Sequence, residues 1–258
     1  MTADSIEVVP GWYGKLPSLG DFASRRLEGE FIPAWDAWLQ TVLSATRSML
    51  GEEWLDTYLT MPIWRFVLMP GLIGTNGWAG VLMPSVDRVG RQFPLTLVAT
   101  LPSYTALAAA VFKGAEWFAG LEEAALGVLD TTRGPDDLDQ SLVGRGFSTP
   151  PTSELHSSDG GGLQRLSSAD DGFESRAKEE SLRAWSQHVG WKGVWWTRGR
   201  VDSDPLMLTC SELPTPEEFS CLLQSRLSLD DPGAATNTGN LATRANSGTN
   251  DPPLPATA

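Results

Sequence analysis

Apolar positions recur along the chain with two different periods, and the changeovers between them mark the elements. Residues 8–14 read as a short strand that runs into a loop over residues 15–22, punctuated by Pro17 and Gly20. Spacings of three and four then take over. Phe31, Trp35, Trp38, Leu39, Val42, Leu43, Met49 and Leu50 make one broad apolar face, which predicts a helix. Pro33 suits its first turn, where a missing N–H costs little. A second short helix is predicted over 52–59. In residues 63–69 both alternating sets are apolar: Trp64, Phe66 and Leu68 on one face, Ile63, Val67 and Met69 on the other. A strand apolar on both faces is covered on both faces, and Arg65 is its only charge. Residues 78–83 and 93–101 are the next strands, with Asn76-Gly77 as a hairpin signal between the first two. The links are too short for helical crossovers, so the pairings are expected to be antiparallel.

A long amphipathic helix is predicted over 104–129 and a short one over 136–143. Composition changes at Gly146. Residues 147–174 are rich in Ser, Gly, Asp and Pro, bury little apolar area, and read as a mobile loop inside one α/β domain spanning 1–230. Periodicity returns with a helix near 177–188 and strands over 193–197 and 206–210. A last helix is announced by Thr215 as N-cap, Pro216 at the first position and Glu218 three residues after the cap. Residues 231–258 lack any core-forming pattern and read as a disordered tail.

The chain has 258 residues, 41% of them hydrophobic, and eleven Trp, enough large rings for a substantial core. Its formal net charge of −13 is spread evenly, with no basic stripe. Nucleic-acid binding and attraction to anionic membranes are therefore not expected, since both need clustered Lys and Arg. No basic stretch followed by an apolar run opens the sequence, and no apolar run reaches the ~18 residues of a membrane span, so the expected address is the cytoplasm. Cys210 and Cys221, the only two cysteines, read as buried thiols and not as a disulfide.

Most motifs that could carry catalysis fail on spacing. Gly11-Trp12-Tyr13-Gly14-Lys15-Leu16 lacks the four-residue gap and the Ser or Thr of a phosphate-binding loop. Ser175-Arg176-Ala177-Lys178 matches an acyl-enzyme pattern at two fixed positions, which arises often by chance. His156 and His188 have no ligand-spaced partner, so neither a metal nor a cofactor is expected. What stands out is an Asp/Arg set: Asp21, Arg65, Asp87, Arg88 and Arg91 lie in or beside aromatic, strand-rich segments. Arg65 needs a carboxylate, and Asp21 or Asp87 could supply it. Asp87, Arg88 and Arg91 instead read as the tip of a recognition loop, with Gly90 marking a special backbone conformation.

GKLPSLGDF (14–22), WDAWL (35–39), PIWRFVLMPG (62–71), WAGVLMPSVDRVGRQFPLTL (78–97) and GVWWTRG (193–199) resemble the TagF family, also called ImpM, over about residues 10–228. The resemblance implies a three-layer α-β-α sandwich around a central, largely antiparallel (mixed) sheet. It also implies a cytoplasmic, non-enzymatic accessory protein of the type VI secretion system. Such a protein represses apparatus assembly after translation by binding a component, foremost the forkhead-associated scaffold protein. Some relatives carry a fused phosphatase domain; nothing after Asp230 here resembles one. The matching residues are candidates for partner binding (Ser85, Asp87, Arg88, Arg91, Asp21 and Phe22) and for a structural ion pair (Arg65 with Asp21). The alternatives are a small-ligand sensor or enzyme with a polar pocket around Asp21 and Arg65, or a structural subunit of the secretion machine.

Overall fold

A computed structural model describes residues 6–27, 29–149, 190, 192–198 and 206–225. The mobile loop expected over 147–174 begins instead with a strand, Phe147–Thr149; the rest of it, the helix near 177–188 and the tail lie outside the described residues, as do both histidines and the Ser175–Lys178 motif. Seven strands form the main sheet. β2 (Gly11–Lys15), β3 (Phe22–Arg25), β4 (Trp64–Leu68), β5 (Gly77–Met83), β6 (Leu95–Leu101), β8 (Gly193–Thr197) and β9 (Leu206–Cys210) lie in the order β3-β2-β6-β5-β4-β8-β9. Every pairing within it is antiparallel. Two short strands, β1 (Ile6–Val8) and β7 (Phe147–Thr149), form a separate antiparallel pair.

The alternation read from residues 63–69 decides the layers. Trp64, Phe66 and Leu68 point into one core, with Phe31, Trp35 and Leu39 of α1 (Phe31–Leu50), Trp54 and Tyr58 of α2 (Trp54–Leu59), and Phe219 and Leu222 of α6 (Pro216–Gln224). Val67 and Met69 point into the other, with Leu107 of α3 (Tyr104–Lys113), Phe118 and Leu121 of α4 (Ala115–Gly127), and Leu138 and Leu142 of α5 (Pro135–Val143). The expected three-layer α-β-α sandwich is the observed fold. The first core is built of stacked rings: Trp35 lies parallel to Trp195 at 5.9 Å between centroids and within 5.1 Å of Phe66. Each such ring buries a large area, so truncating one costs about 3–5 kcal/mol.

Further expectations about the elements and their burial need correction. The predicted single helix over 104–129 is two, α3 and α4, broken at Gly114, where a Cβ would stand 2.4 Å from the Ala110 carbonyl oxygen. The first strand is likewise two, interrupted around Pro10. Residues 22–25, taken as the end of a loop and the chain leading to α1, form edge strand β3. Three of its four side chains are exposed, so it carries no hydrophobic alternation to read. Cys221 is only partly buried, while Cys210 is buried; both are free thiols. The helix starts fared better. Thr215 Oγ1 accepts the Glu218 N–H, and the Glu218 carboxylate accepts the Thr215 N–H, closing the predicted capping box.

Candidate functional site

The loop that follows β5 turns back on itself through an isolated bridge between Val86 and Gln92. Within it Asp87 N–H donates to the Arg91 carbonyl at 3.0 Å and Gly90 N–H to the Asp87 carbonyl at 2.9 Å. This tight turn holds Gly90 at φ 84°, a conformation a side chain would strain. The Asp87 side chain faces inward, and the residue is only 2% exposed. It accepts four hydrogen bonds: from Lys15 Nζ at 2.9 Å, Arg91 Nε at 2.7 Å, Arg91 N–H at 2.9 Å and Val89 N–H at 3.1 Å. Burial alone would raise the Asp87 pKa. The bonds from Lys15, Arg91 and Val89 outweigh it and hold the carboxyl well below the usual carboxylate range.

Ser85, at the start of the loop, is equally committed. Its hydroxyl donates to the Lys15 carbonyl at 2.7 Å. The Tyr58 hydroxyl donates to the Ser85 carbonyl at 2.7 Å and accepts the Ser85 N–H at 3.0 Å, which fastens α2 to the loop. Burial pushes the Tyr58 phenol well above its ordinary pKa. Ser85 and Asp87 are therefore corrected as partner-facing residues: both side chains are turned into the protein, where they hold the loop.

The same loop is laced to the one before β3. Arg88 N–H donates to the Leu19 carbonyl at 2.7 Å, and the Arg91 guanidinium donates to the Gly20 carbonyl. The Phe22 ring packs edge-on against Phe93 at 4.7 Å and lies 5.0 Å from Lys15 Nζ, lidding the ion pair while staying 44% exposed. Two loops 70 residues apart in sequence thus share one surface. Arg88 and Val89 project from it, Val89 at 68% exposure. Among the described residues Arg88 makes no side-chain hydrogen bond or ion pair. Asp21 is exposed, and its carboxylate accepts the Phe22 N–H at 2.8 Å.

Arg65 has a different partner from the one its sequence position offered. Its Nε and Nη2 donate to the two carboxylate oxygens of Glu122 on α4, at 2.6 and 2.9 Å, and its guanidinium sits 5.5 Å from the Phe118 ring centroid. Three strands lie between β3 and β4, a separation of about 19 Å at ~4.8 Å per strand, so Asp21 cannot reach Arg65. The expected Arg65–Asp21 pair and the expected pocket around those two residues are both corrected on this ground. Sequence reasoning also missed Lys15, Tyr58, Val89 and Glu122. Glu122 lies one turn beyond Phe118 on the buried stripe of α4, which was the available signal.

Fold and site together define a sandwich protein that presents two interlocked loops at one end of its sheet, with the polar groups beneath them consumed internally. The family comparison is specific. Residues 11–144 match the TagF N-terminal domain, described as type VI secretion system-associated, and the chain belongs to that family. Among solved structures it is similar to the crystal structure of PA0076 from Pseudomonas aeruginosa PAO1, with 31% identity and a TM-score of 0.69 over 96% of this chain and 100% of that one. No curated protein matches it. No helix among the described residues is long and apolar enough to cross a membrane.

Proposed function

We propose that this type VI secretion-associated protein is a non-enzymatic, cytoplasmic binding module. It restrains assembly of the secretion apparatus by docking its paired loops onto a component of the system, with the forkhead-associated scaffold protein as the first partner to test. One observation carries the reading. In and beneath the loop after β5 the side chains divide into two sets: Ser85, Asp87, Lys15 and Tyr58 are bonded inward, while the charged Arg88 and the apolar Val89 project outward. Such a division fits a contact surface, with a rigid base and a free polar and apolar tip.

Arg88→Glu combined with Val89→Asp should abolish co-purification of the scaffold and release apparatus assembly, with the melting temperature almost unchanged. Arg91 is left alone in this variant because it bonds Asp87 and Gly20. Full retention of scaffold binding by a folded double variant would sink the proposal.

A further inference from the structure

The tip loop also bears on what kind of group the partner brings. Every backbone donor there is already used. Arg88 N–H goes to Leu19, Val89 N–H and Arg91 N–H to the Asp87 carboxylate, and Gly90 N–H to the Asp87 carbonyl. Among the described residues, Arg88 to Arg91 therefore offer no cradle of free amides to a phosphate. The other cations nearby among the described residues are engaged as well. Lys15 is buried on Asp87 beneath Phe22, Arg91 is bonded to Asp87 and Gly20, and Arg47 donates to Gln92 and stacks at 4.2 Å on Trp54. That leaves one guanidinium, Arg88, with its fork uncommitted among the described residues, beside the apolar Val89.

Recognition of a phosphorylated side chain draws on several cations or a set of amides, because the group carries close to two negative charges. A single free fork matches a single carboxylate, which it can bind through two parallel hydrogen bonds. We propose that Arg88 receives one unmodified Asp or Glu side chain of the partner, with an apolar neighbour seated on Val89. This rests on the proposed function and adds the chemistry of the contact.

The experiment titrates the purified full-length protein against the forkhead-associated scaffold of the same secretion system, in one phosphatase-treated and one kinase-phosphorylated preparation. Equal affinity for both is expected, falling on the order of 30-fold or more in Arg88→Glu. Arg88→Lys should lose about tenfold, since it keeps the charge and loses the fork. Asp→Arg or Glu→Arg substitutions across the scaffold should then yield one that restores binding to Arg88→Glu. Unchanged melting temperatures for both Arg88 variants would establish that they fold. Tighter binding of the phosphorylated scaffold, lost in Arg88→Glu, would overturn the carboxylate assignment and leave the docking proposal standing. Absence of rescue by any charge swap would also overturn it. Failure of the unsubstituted protein to bind either preparation would overturn the scaffold as partner, and this inference with it.

Discussion

Arg65 and Arg88 come from the same meander, 23 residues apart, and the fold puts them to opposite uses. Arg65 is 4% exposed, sits on a strand covered by helices on both faces, and spends its fork on Glu122. Arg88 stands in solvent at the tip of a loop whose base is bonded so thoroughly that its own side chain is left over. Residue type does not separate a structural arginine from a recognition arginine; the accounting of neighbouring donors and acceptors does. A buried guanidinium without its carboxylate would be an uncompensated charge, whereas an exposed one loses nothing by being unpaired.

The first way to break that contrast is to remove the interior partner. Glu122→Ala should cost about 3–5 kcal/mol by stranding Arg65, seen as a large fall in urea midpoint with the slope unchanged. Replacing both with well-packed apolar residues, as in Arg65→Met with Glu122→Leu, should recover most of that loss. If Glu122→Ala alone proves neutral, the pair is solvated and the contrast collapses.

A smaller effect is expected at the base of the loop. Asp87→Asn keeps the shape but loses the charge that Lys15 and Arg91 share, so thermal stability should fall at neutral pH. Its pH profile is the sharper readout. The folded Asp87 carboxyl titrates below an unfolded one, near 3.9, so the unfolded chain holds more protons between the two values. The stability it supplies is fully present above about pH 4 and is lost as pH drops toward the folded value. Melting temperature against pH should show that acid limb in the unsubstituted protein and a shallower one in Asp87→Asn.

Tyr58→Phe removes two hydrogen bonds to Ser85 at once and should cost about 1–3 kcal/mol, because the Ser85 N–H and carbonyl lose a buried partner. Scaffold binding should weaken with it if the loop must be held rigid. Last and smallest on this scale, Arg88→Glu with Val89→Asp should change stability by no more than about 0.5 kcal/mol, as exposed substitutions do. The same variant is predicted to have the largest effect on binding. The two orders are inverse, and a parallel order would refute the division between base and tip.

Much of the frame is legible in the sequence because it rests on periodicity. The two apolar faces of residues 63–69 give the three layers, and Thr215-Pro216-Glu218 gives the start of α6. The misses share a physical cause. Arg65 meets Glu122 across 57 residues, and nothing local to either names the other. β3 exposes three of its four side chains, so its pairing with β2 leaves no hydrophobic trace. The sequence offers Asp87 either as a carboxylate for Arg65 or as a partner-facing tip residue; its burial on Lys15, Arg91 and two backbone amides is a set of contacts that only the folded geometry brings together. The tip was recognisable as special through Gly90, but which of its side chains remains free depends on bonds that no spacing encodes.

The strand order carries one more consequence, for how the chain is made. β4, apolar on both faces, pairs on one side with β5, which follows within about ten residues, and on the other with β8, about 130 residues further along. At roughly 5–20 residues per second, the ribosome leaves that second edge of β4 without its neighbour for something like 7–25 seconds. If β4 pairs with β5 first, its other edge would stay open through that interval, the kind of hydrophobic edge that templates aggregation. Slower synthesis between β7 and β8 is therefore expected to lower the yield of folded protein even where final stability is unchanged.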